Sequence, residues 1–260
     1  MNKREIVLYY SDEINEDFSD IKKEPIVIDE KFKYFKNPVW RFFAVIVYRG
    51  IMTPFAYIYS KIKFKVKIVN KKVLKESKGK GAFVFGNHTL MGGDAFIPNI
   101  VTFPKKTFVI VNSANISSFG TKNFILMNGA IPLPTKTSGM RNFMNAIEKH
   151  ISKKHAIVIY PEAHVWPYYT KIRDFKSVSF KYPVKLNAPC YCQTTTYQQR
   201  KPNKPPKVTV YVDGPFYPDK NIPEKEATIK LRNEIYDKMC ERSLNSTYEY
   251  VKYVKKEETI

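Results

Sequence analysis

The sequence predicts one α/β domain with a mostly parallel central sheet flanked by helices, preceded by a short two-helix apolar element. Short apolar runs recur from residue 82 onward, with helical material between them. Several of these runs are continuous rather than alternating, the pattern of strands buried on both faces. Upstream, a capping residue is twice followed by proline, at Asn37-Pro38 and Thr53-Pro54, which is how helices begin. The expected organisation is an arm over 1–36, a membrane-docking pair over 37–62, and an α/β domain over 63–260 that ends in a helix and a basic tail.

The arm is acidic first and basic later. Residues 1–30 hold four Lys/Arg against nine Asp/Glu, whereas residues 31–81 hold fourteen basic residues against Glu76 alone. The arm has little helical periodicity, so packing over the body and fraying both remain open. The charge asymmetry raises the expectation that it covers the basic face. Met1-Asn2-Lys3-Arg4-Glu5-Ile6 lacks the apolar core of a signal peptide.

The two proline signals predict helices over about 38–51 and 54–61. Val39, Trp40, Phe42, Phe43 and Tyr48 in the first, and Phe55, Tyr57 and Ile58 in the second, make them apolar almost all round. Each is too short to span a bilayer, which takes about 20 apolar residues. Helices of this kind, flanked by positive charge, suit the lipid interface, and an ordinary core helix pair fits equally. Lys61-Ile62-Lys63-Phe64-Lys65-Val66-Lys67-Ile68 alternates strictly and predicts a strand with a lysine face. That face would guard a sheet edge, or meet anionic headgroups, or both.

Strands are expected at Ala82–Phe85, Thr107–Val111, Ala130–Leu133, Ala156–Tyr160, Pro189–Thr196 and Val208–Val212. Helices are expected at about 95–103, 117–127, 138–152 and 174–184, and from Pro223 to Leu244. Pro202–Pro206 reads as a loop, and Tyr248–Lys256 as a basic aromatic tail.

The 260 residues include 43% hydrophobic ones, enough for a sizeable core and against wholesale disorder. The net charge of +20 attracts anionic surfaces. Nucleic-acid modules interleave basic and aromatic residues on a sheet or present a recognition helix. Here the basic density flanks apolar helices, which favours a membrane rich in acidic lipids. A non-catalytic protein binding anionic lipid or nucleic acid is the contrasting reading. Cys190, Cys192 and Cys240 complete no zinc site. Cys190 and Cys192 share one strand face, a poor placement for a mutual disulfide, so a reduced, intracellular setting is expected.

The chemistry-bearing segment is Gly86-Asn87-His88-Thr89-Leu90-Met91-Gly92-Gly93-Asp94. A buried strand ends at Gly86 and delivers His88 to the carboxyl end of the sheet, where open α/β folds carry their sites. Asp94 can receive one imidazole N–H, leaving the other nitrogen as a general base. The plainer reading makes Asp94 a helix N-cap and His88 a satisfied loop histidine.

Asn87-His88 followed by Asp94 resembles the Asn-His-x4-Asp block of the 1-acylglycerol-3-phosphate acyltransferase family. Gly129-Ala130-Ile131-Pro132-Leu133, Tyr160-Pro161-Glu162-Ala163 and Ala188-Pro189-Cys190-Tyr191 resemble its later blocks, in the family's order. The likeness covers roughly residues 38–213. It implies one-step acyl transfer from a coenzyme A or acyl carrier protein thioester to a lipid hydroxyl at the cytoplasmic membrane surface, with no bound cofactor. His88 would act as base, Asp94 as its orienting partner, and Asn87 and Glu162 as substrate-site residues. Glu162 reads equally as a buried carboxylate satisfied by backbone amides.

Three departures bear on this. Five residues separate His88 from Asp94, not four, so a plain helical turn does not join them. The bend that Gly92-Gly93 permits is needed instead. The arginines expected after the second and third blocks are replaced by Thr135-Lys136 and by Ala163-His164-Val165. Arginine grips phosphate bidentately and lysine only as a point charge, so a phosphomonoester acceptor is disfavoured. Lys136, Arg141, Lys171 and Arg173 are the candidate substitutes. His164 is either a second titrating group or a hydrogen-bonded wall residue.

Overall fold

The computed structural model describes residues 6–19, 24–117, 120–200 and 204–256. Outside that set lie Met1–Glu5 and 20–23 of the expected arm, residues 118 and 119 of the expected helix at 117–127, and Pro202 and Asn203 of the expected loop. The main sheet has seven strands in the order β2-β8-β7-β3-β6-β4-β5. They are β2 (Lys67–Val69), β3 (Ala82–Gly86), β4 (Thr107–Val111), β5 (Ala130–Pro132), β6 (Ala156–Ile159), β7 (Cys190–Gln198) and β8 (Lys207–Phe216). The block from β7 to β5 is parallel. Strand β8 runs antiparallel to β7, and β2 parallel to β8.

Continuous apolar runs become central strands because both faces are covered. On β3, Phe83 and Phe85 enter a core built with Phe143, Ile147, Leu231 and Ile235. Those come from α5 (Met140–Ser152) and α7 (Glu224–Ser243). Ala82 and Val84 face the other side, with Val158 and Tyr191. The six expected strands form, β8 running four residues beyond its expected end at Val212. The expected helices also form, with shorter bounds at α3 (Ile97–Thr102) and α4 (Lys122–Met127). The expected 174–184 helix is a short 3-10 turn over Ser177–Phe180 followed by α6 (Lys181–Leu186).

The apolar element differs from expectation. Helices α1 (Pro38–Val45) and α2 (Thr53–Phe64) are joined by a π-helical stretch, Ile46–Met52. Asn37 caps the start, accepting the Trp40 N–H at 2.8 Å. Thr53-Pro54 opens α2 as expected, but with no break before it and no side-chain cap. The i→i+5 turn from Thr53 N–H to the Tyr48 carbonyl widens the rod, and a widened turn relieves the clash proline brings to a helix interior. The outcome is 27 helical residues, Pro38–Phe64, long and apolar enough by length and composition to cross a membrane. Helix α2 also absorbs the first half, Lys61–Phe64, of the predicted Lys61–Ile68 strand. It ends at Lys65 in the left-handed region, φ 52°, so only Lys67 and Ile68 of that segment are extended.

One face of the rod is docked. Ala44, Tyr48, Ala56, Ser60 and Phe64 are buried at four-residue spacing, the repeat that keeps side chains on one helical face. The Tyr48 hydroxyl donates to Asn99 Oδ1 (2.8 Å) and accepts the Thr107 N–H (2.8 Å). Asn99 Nδ2 donates to Thr53 Oγ1 (2.9 Å), which donates to the Tyr48 carbonyl (2.7 Å). The outward face exposes Val39, Phe42, Phe43, Ile46, Ile51 and Ile58.

The arm is built into the body. Strand β1 (Ile6–Tyr10) pairs in parallel with β9 (Val251–Lys255), making a separate two-stranded sheet from the expected basic tail. Ile28 is fully buried and its N–H donates to Thr135 Oγ1 at 2.9 Å. The arm's acidic residues Glu13, Glu16 and Asp17 contact Tyr169, Trp166, Arg173 and His164 rather than the rod.

Tyr48→Phe would leave the Thr107 amide and Asn99 without their partner in a buried site. It is expected to lower unfolding stability by about 1–3 kcal/mol, read by denaturant titration.

Candidate active site

Strand β3 ends at Gly86, and the next two residues turn its carboxyl end into a site. Asn87 is buried and pairs twice with the backbone of β7, accepting the Thr195 N–H at 2.8 Å and donating to the Thr195 carbonyl at 3.0 Å. Asn87 therefore sets the angle at which the chain leaves the sheet and does not line an open surface. His88 follows, its side chain 23% exposed. Its backbone carbonyl accepts the Trp166 N–H at 3.1 Å, and the next carbonyl, Thr89, accepts the Tyr168 N–H at 2.7 Å.

His88 Nδ1 lies 2.7 Å from Asp94 Oδ2. The same oxygen accepts the Leu90 N–H at 3.0 Å. Asp94 is thus not the cap of α3, whose N-cap position is Phe96. Its carboxylate turns back toward the histidine. The extra residue in the spacing is taken up by consecutive tight turns over 91–96. Gly92 sits at φ +72°, a region costly for residues with a Cβ. A Cβ on Gly93 would fall 2.3 Å from Leu90 Cδ2. Burial pushes the Asp94 carboxyl upward, opposed by the bonds from His88 and the Leu90 amide. A carboxylate on Nδ1 fixes that nitrogen as the N–H, so in the neutral ring the lone pair is on Nε2.

Tyr160 contributes in a way the sequence reading missed. Its ring stacks on the His88 imidazole, centroids 4.5 Å apart at 20°, and its hydroxyl donates to the Asp94 backbone carbonyl at 2.7 Å. The ring and the hydroxyl together hold both members of the pair. The visible signal was the aromatic residue before Pro161-Glu162.

Glu162 lies behind His88. Its Oε2 accepts the His88 N–H at 2.8 Å and its Oε1 the Arg173 N–H at 3.0 Å. The Arg173 guanidinium is 3.5 Å from Oε2, with side-chain exposure of 1% for Arg173 and 0% for Glu162. Arg173 also donates to the carbonyls of Glu13 and His164 and lies over the Trp166 ring. Burial raises the Glu162 carboxyl, countered first by Arg173. This matches the plainer reading of Glu162, a buried carboxylate bonded by amides. Arg173, expected as a phosphate ligand, faces inward, because its planar fork is engaged by Glu162 and two carbonyls. Lys136 and Lys171 are exposed on the loops after β5 and before Arg173. Arg141 is exposed in the first turn of α5. His164 meets Asp17 at 3.3 Å on the surface, a wall contact.

Among the described residues no group of three His, Cys, Asp or Glu side chains could hold a metal ion. All three cysteines are free, Cys190 and Cys192 in the core.

No protein-family model matches the chain, and no curated protein matches it in sequence. Among solved structures, it is similar to the 1-acyl-sn-glycerophosphate (LPA) acyltransferase PlsC from Thermotoga maritima. The TM-score is 0.52 at 16% identity, over 81% of this chain and 96% of that one. The fold is PlsC-like. At this identity the likeness concerns fold alone, so the site rests on the geometry above.

Glu162→Gln would set an amide N–H against the His88 or Arg173 N–H and leave the buried guanidinium without its counter-charge. Removing one partner of a buried pair costs about 3–5 kcal/mol, so a clear fall in melting temperature is expected. A variant as stable as the parent would show that Glu162 does not carry this junction.

Proposed function

We propose that the chain is an O-acyltransferase that moves an acyl group from a thioester, on coenzyme A or acyl carrier protein, to the hydroxyl of a glycerolipid-like acceptor at a membrane surface. One observation carries the reading: a partly exposed imidazole held by a buried carboxylate at 2.7 Å, at the carboxyl end of a sheet in a PlsC-like fold.

The steps follow from that pair. The acceptor hydroxyl donates to His88 Nε2. As its oxygen attacks the thioester carbonyl, the C–O bond forms and the proton passes to Nε2. Asp94 stabilises the imidazolium and keeps the ring aligned. The C–S bond then breaks, and the leaving thiolate takes the proton back. No acyl-enzyme is required, because position and proton transfer supply the acceleration. The role of Glu162 and Asn87 is to hold the His88 backbone. Lys136, Arg141 and Lys171 are the exposed cations left to meet an anionic acceptor group, since Arg173 is engaged inside.

The acyl chain has an apolar bed at hand. A cavity of about 210 Å³ lies under the rod, lined by Met52, Ala56, Ala95, Phe96, Val109 and Phe124. Ala95 and Phe96 directly follow Asp94, so a chain lying there would bring its thioester toward the pair.

The rod supplies the membrane seat. Its buried stripe runs from Ala44 to Phe64, so the docked rod lies along the domain and cannot also cross a bilayer. The exposed face would enter one leaflet, with Arg41, Lys61 and Lys63 among the headgroups. On this proposal the protein is peripheral, on the cytoplasmic face, and its partner is an acidic lipid surface rather than nucleic acid.

His88→Ala is expected to lower thioester-dependent acyl transfer by at least about 100-fold, the scale of a lost general base, while melting stays near that of the parent. Asp94→Asn should give a comparable or milder loss. Activity that survives His88→Ala would overturn the mechanism. Phe42→Glu with Phe43→Glu removes two apolar side chains worth roughly 1.5–3 kcal/mol each when buried. Vesicle flotation should fall by more than about tenfold, while transfer to a water-soluble acceptor stays unchanged.

A further inference from the structure

A second cavity lies at the opposite end of the parallel strands from His88. It is about 260 Å³ and opens where β4 and β6 begin, since Lys106 directly precedes Thr107 and His155 directly precedes Ala156. One wall is Trp40, Ala44 and Val45, from the first turns of the rod. The floor includes Phe108, Leu126 and Ile131. Its lining carries Lys33, Lys36, Arg41, Lys106 and Lys153 and includes no Asp or Glu.

Two features of this cavity lack an internal explanation. Lys106 is half-buried and lies over the Tyr48 and Phe108 rings, at 5.2 and 5.3 Å. Burial, then the neighbouring Arg49 and Lys153, push its ammonium down. The Trp40 indole Nε1 is buried with no hydrogen-bond partner, although buried indole N–H groups normally find an acceptor. The two imidazoles do not relieve the charge. His150 and His155 meet through their Nδ1 atoms at 3.1 Å. Burial lowers them to about 3 and about 4, so neither adds a charge at neutral pH. The cavity therefore combines an apolar floor, crowded cations that meet aromatic rings but no carboxylate, and an orphan donor. That is the complement of a group that is anionic at one end and apolar at the other.

We propose that this cavity is a second lipid site, separate from the catalytic pair, that takes one anionic phospholipid molecule from the membrane. The phosphate would lie among Lys106, Lys153 and Arg41, and the upper part of an acyl chain against Phe108, Leu126 and Ile131. The choice of a membrane lipid over a free anion rests on position. The wall residues belong to the same rod turns that expose Val39, Phe42 and Phe43, so the inference leans on the membrane seat proposed above. The rod's other end carries Tyr59, whose ring meets Phe96 beside Asp94. Nineteen residues of helix from Trp40 to Tyr59, roughly 28 Å at 1.5 Å per residue, then link a lipid-filled cavity at one end to the His88 loop at the other.

The test uses monomeric dihexanoyl phosphatidate, below its micelle concentration, with the full chain and with tryptophan emission as readout. A saturable emission change is expected in the parent and in His88→Ala. It should vanish in Trp40→Phe, because the other tryptophan, Trp166, lies beside the catalytic loop. Lys153 is exposed at the rim, so Lys153→Glu should fold normally. It should weaken the lipid by at least about tenfold, the scale of one charge-assisted contact. Inorganic phosphate and dihexanoyl phosphatidylcholine should each saturate far more weakly. Unchanged affinity in Lys153→Glu, a signal that survives Trp40→Phe, or equal saturation by either control would overturn the site. Because the probe is not a bilayer, those failures would leave the vesicle-binding result, and with it the membrane seat, standing.

Discussion

The site depends on one buried carboxylate. Glu162 sits at the junction of two segments that leave the sheet, 87–94 after β3 and 160–173 after β6, and binds the backbone of both. With Arg173 at its back and the amides of His88 and Arg173 at its oxygens, it has little freedom to move. The position of His88 is inherited from it. Asp94 and Tyr160 refine the ring's tautomer and tilt, but the backbone from which the ring hangs is set by Glu162 and by the paired bonds of Asn87. A buried ion pair is weak evidence of added stability. Here its clearer effect is geometric, because it allows one arrangement of two loops.

The central sheet was legible because burial on both faces writes itself as unbroken apolar runs, and the six runs expected as strands between Ala82 and Val212 all form. The His88–Asp94 segment was legible as a strand end followed by a glycine pair, and the glycines do make the bend that the longer spacing needs. Other features were hidden for physical reasons. Lys61–Ile68 alternates, yet its first half is helix, because a rod with one face on protein and an apolar outer face loses the polar side that helical periodicity relies on. Thr53-Pro54 looked like the start of a separate helix, since a sequence does not reveal that a widened turn will accept the proline. The role of Tyr160 depends on a ring lying over a histidine 72 residues away, and Arg173 turned inward because Glu162 lay within its reach. Neither relation leaves a local trace.

The rod and the sheet are joined by a closed set of bonds among Tyr48, Asn99, Thr53 and the Thr107 amide. This set occupies the π-helical stretch, where the helix's own bonding is least regular. The irregular turn is therefore where the rod grips the domain. A straight α-helix would rotate the residues beyond Met52 relative to those before it. Either Tyr48 or Phe64 would then leave the buried face. The apolar outer surface and the cavity beneath Met52 and Ala56 both follow from that one local change of pitch.

The pairing of β1 with β9 brings two segments distant in sequence together over the loop that carries His88. Trp166, whose N–H holds the His88 carbonyl, is stacked on Tyr253 from β9 and bonded through its indole to the Glu16 carbonyl from the arm. Every strand of the main sheet lies between β1 and β9 in the chain, so during synthesis the arm has no strand to pair with until all seven have been made. The loop behind His88 thus acquires its outer support after the sheet it springs from. Sheet and support are separate in the order in which they can form.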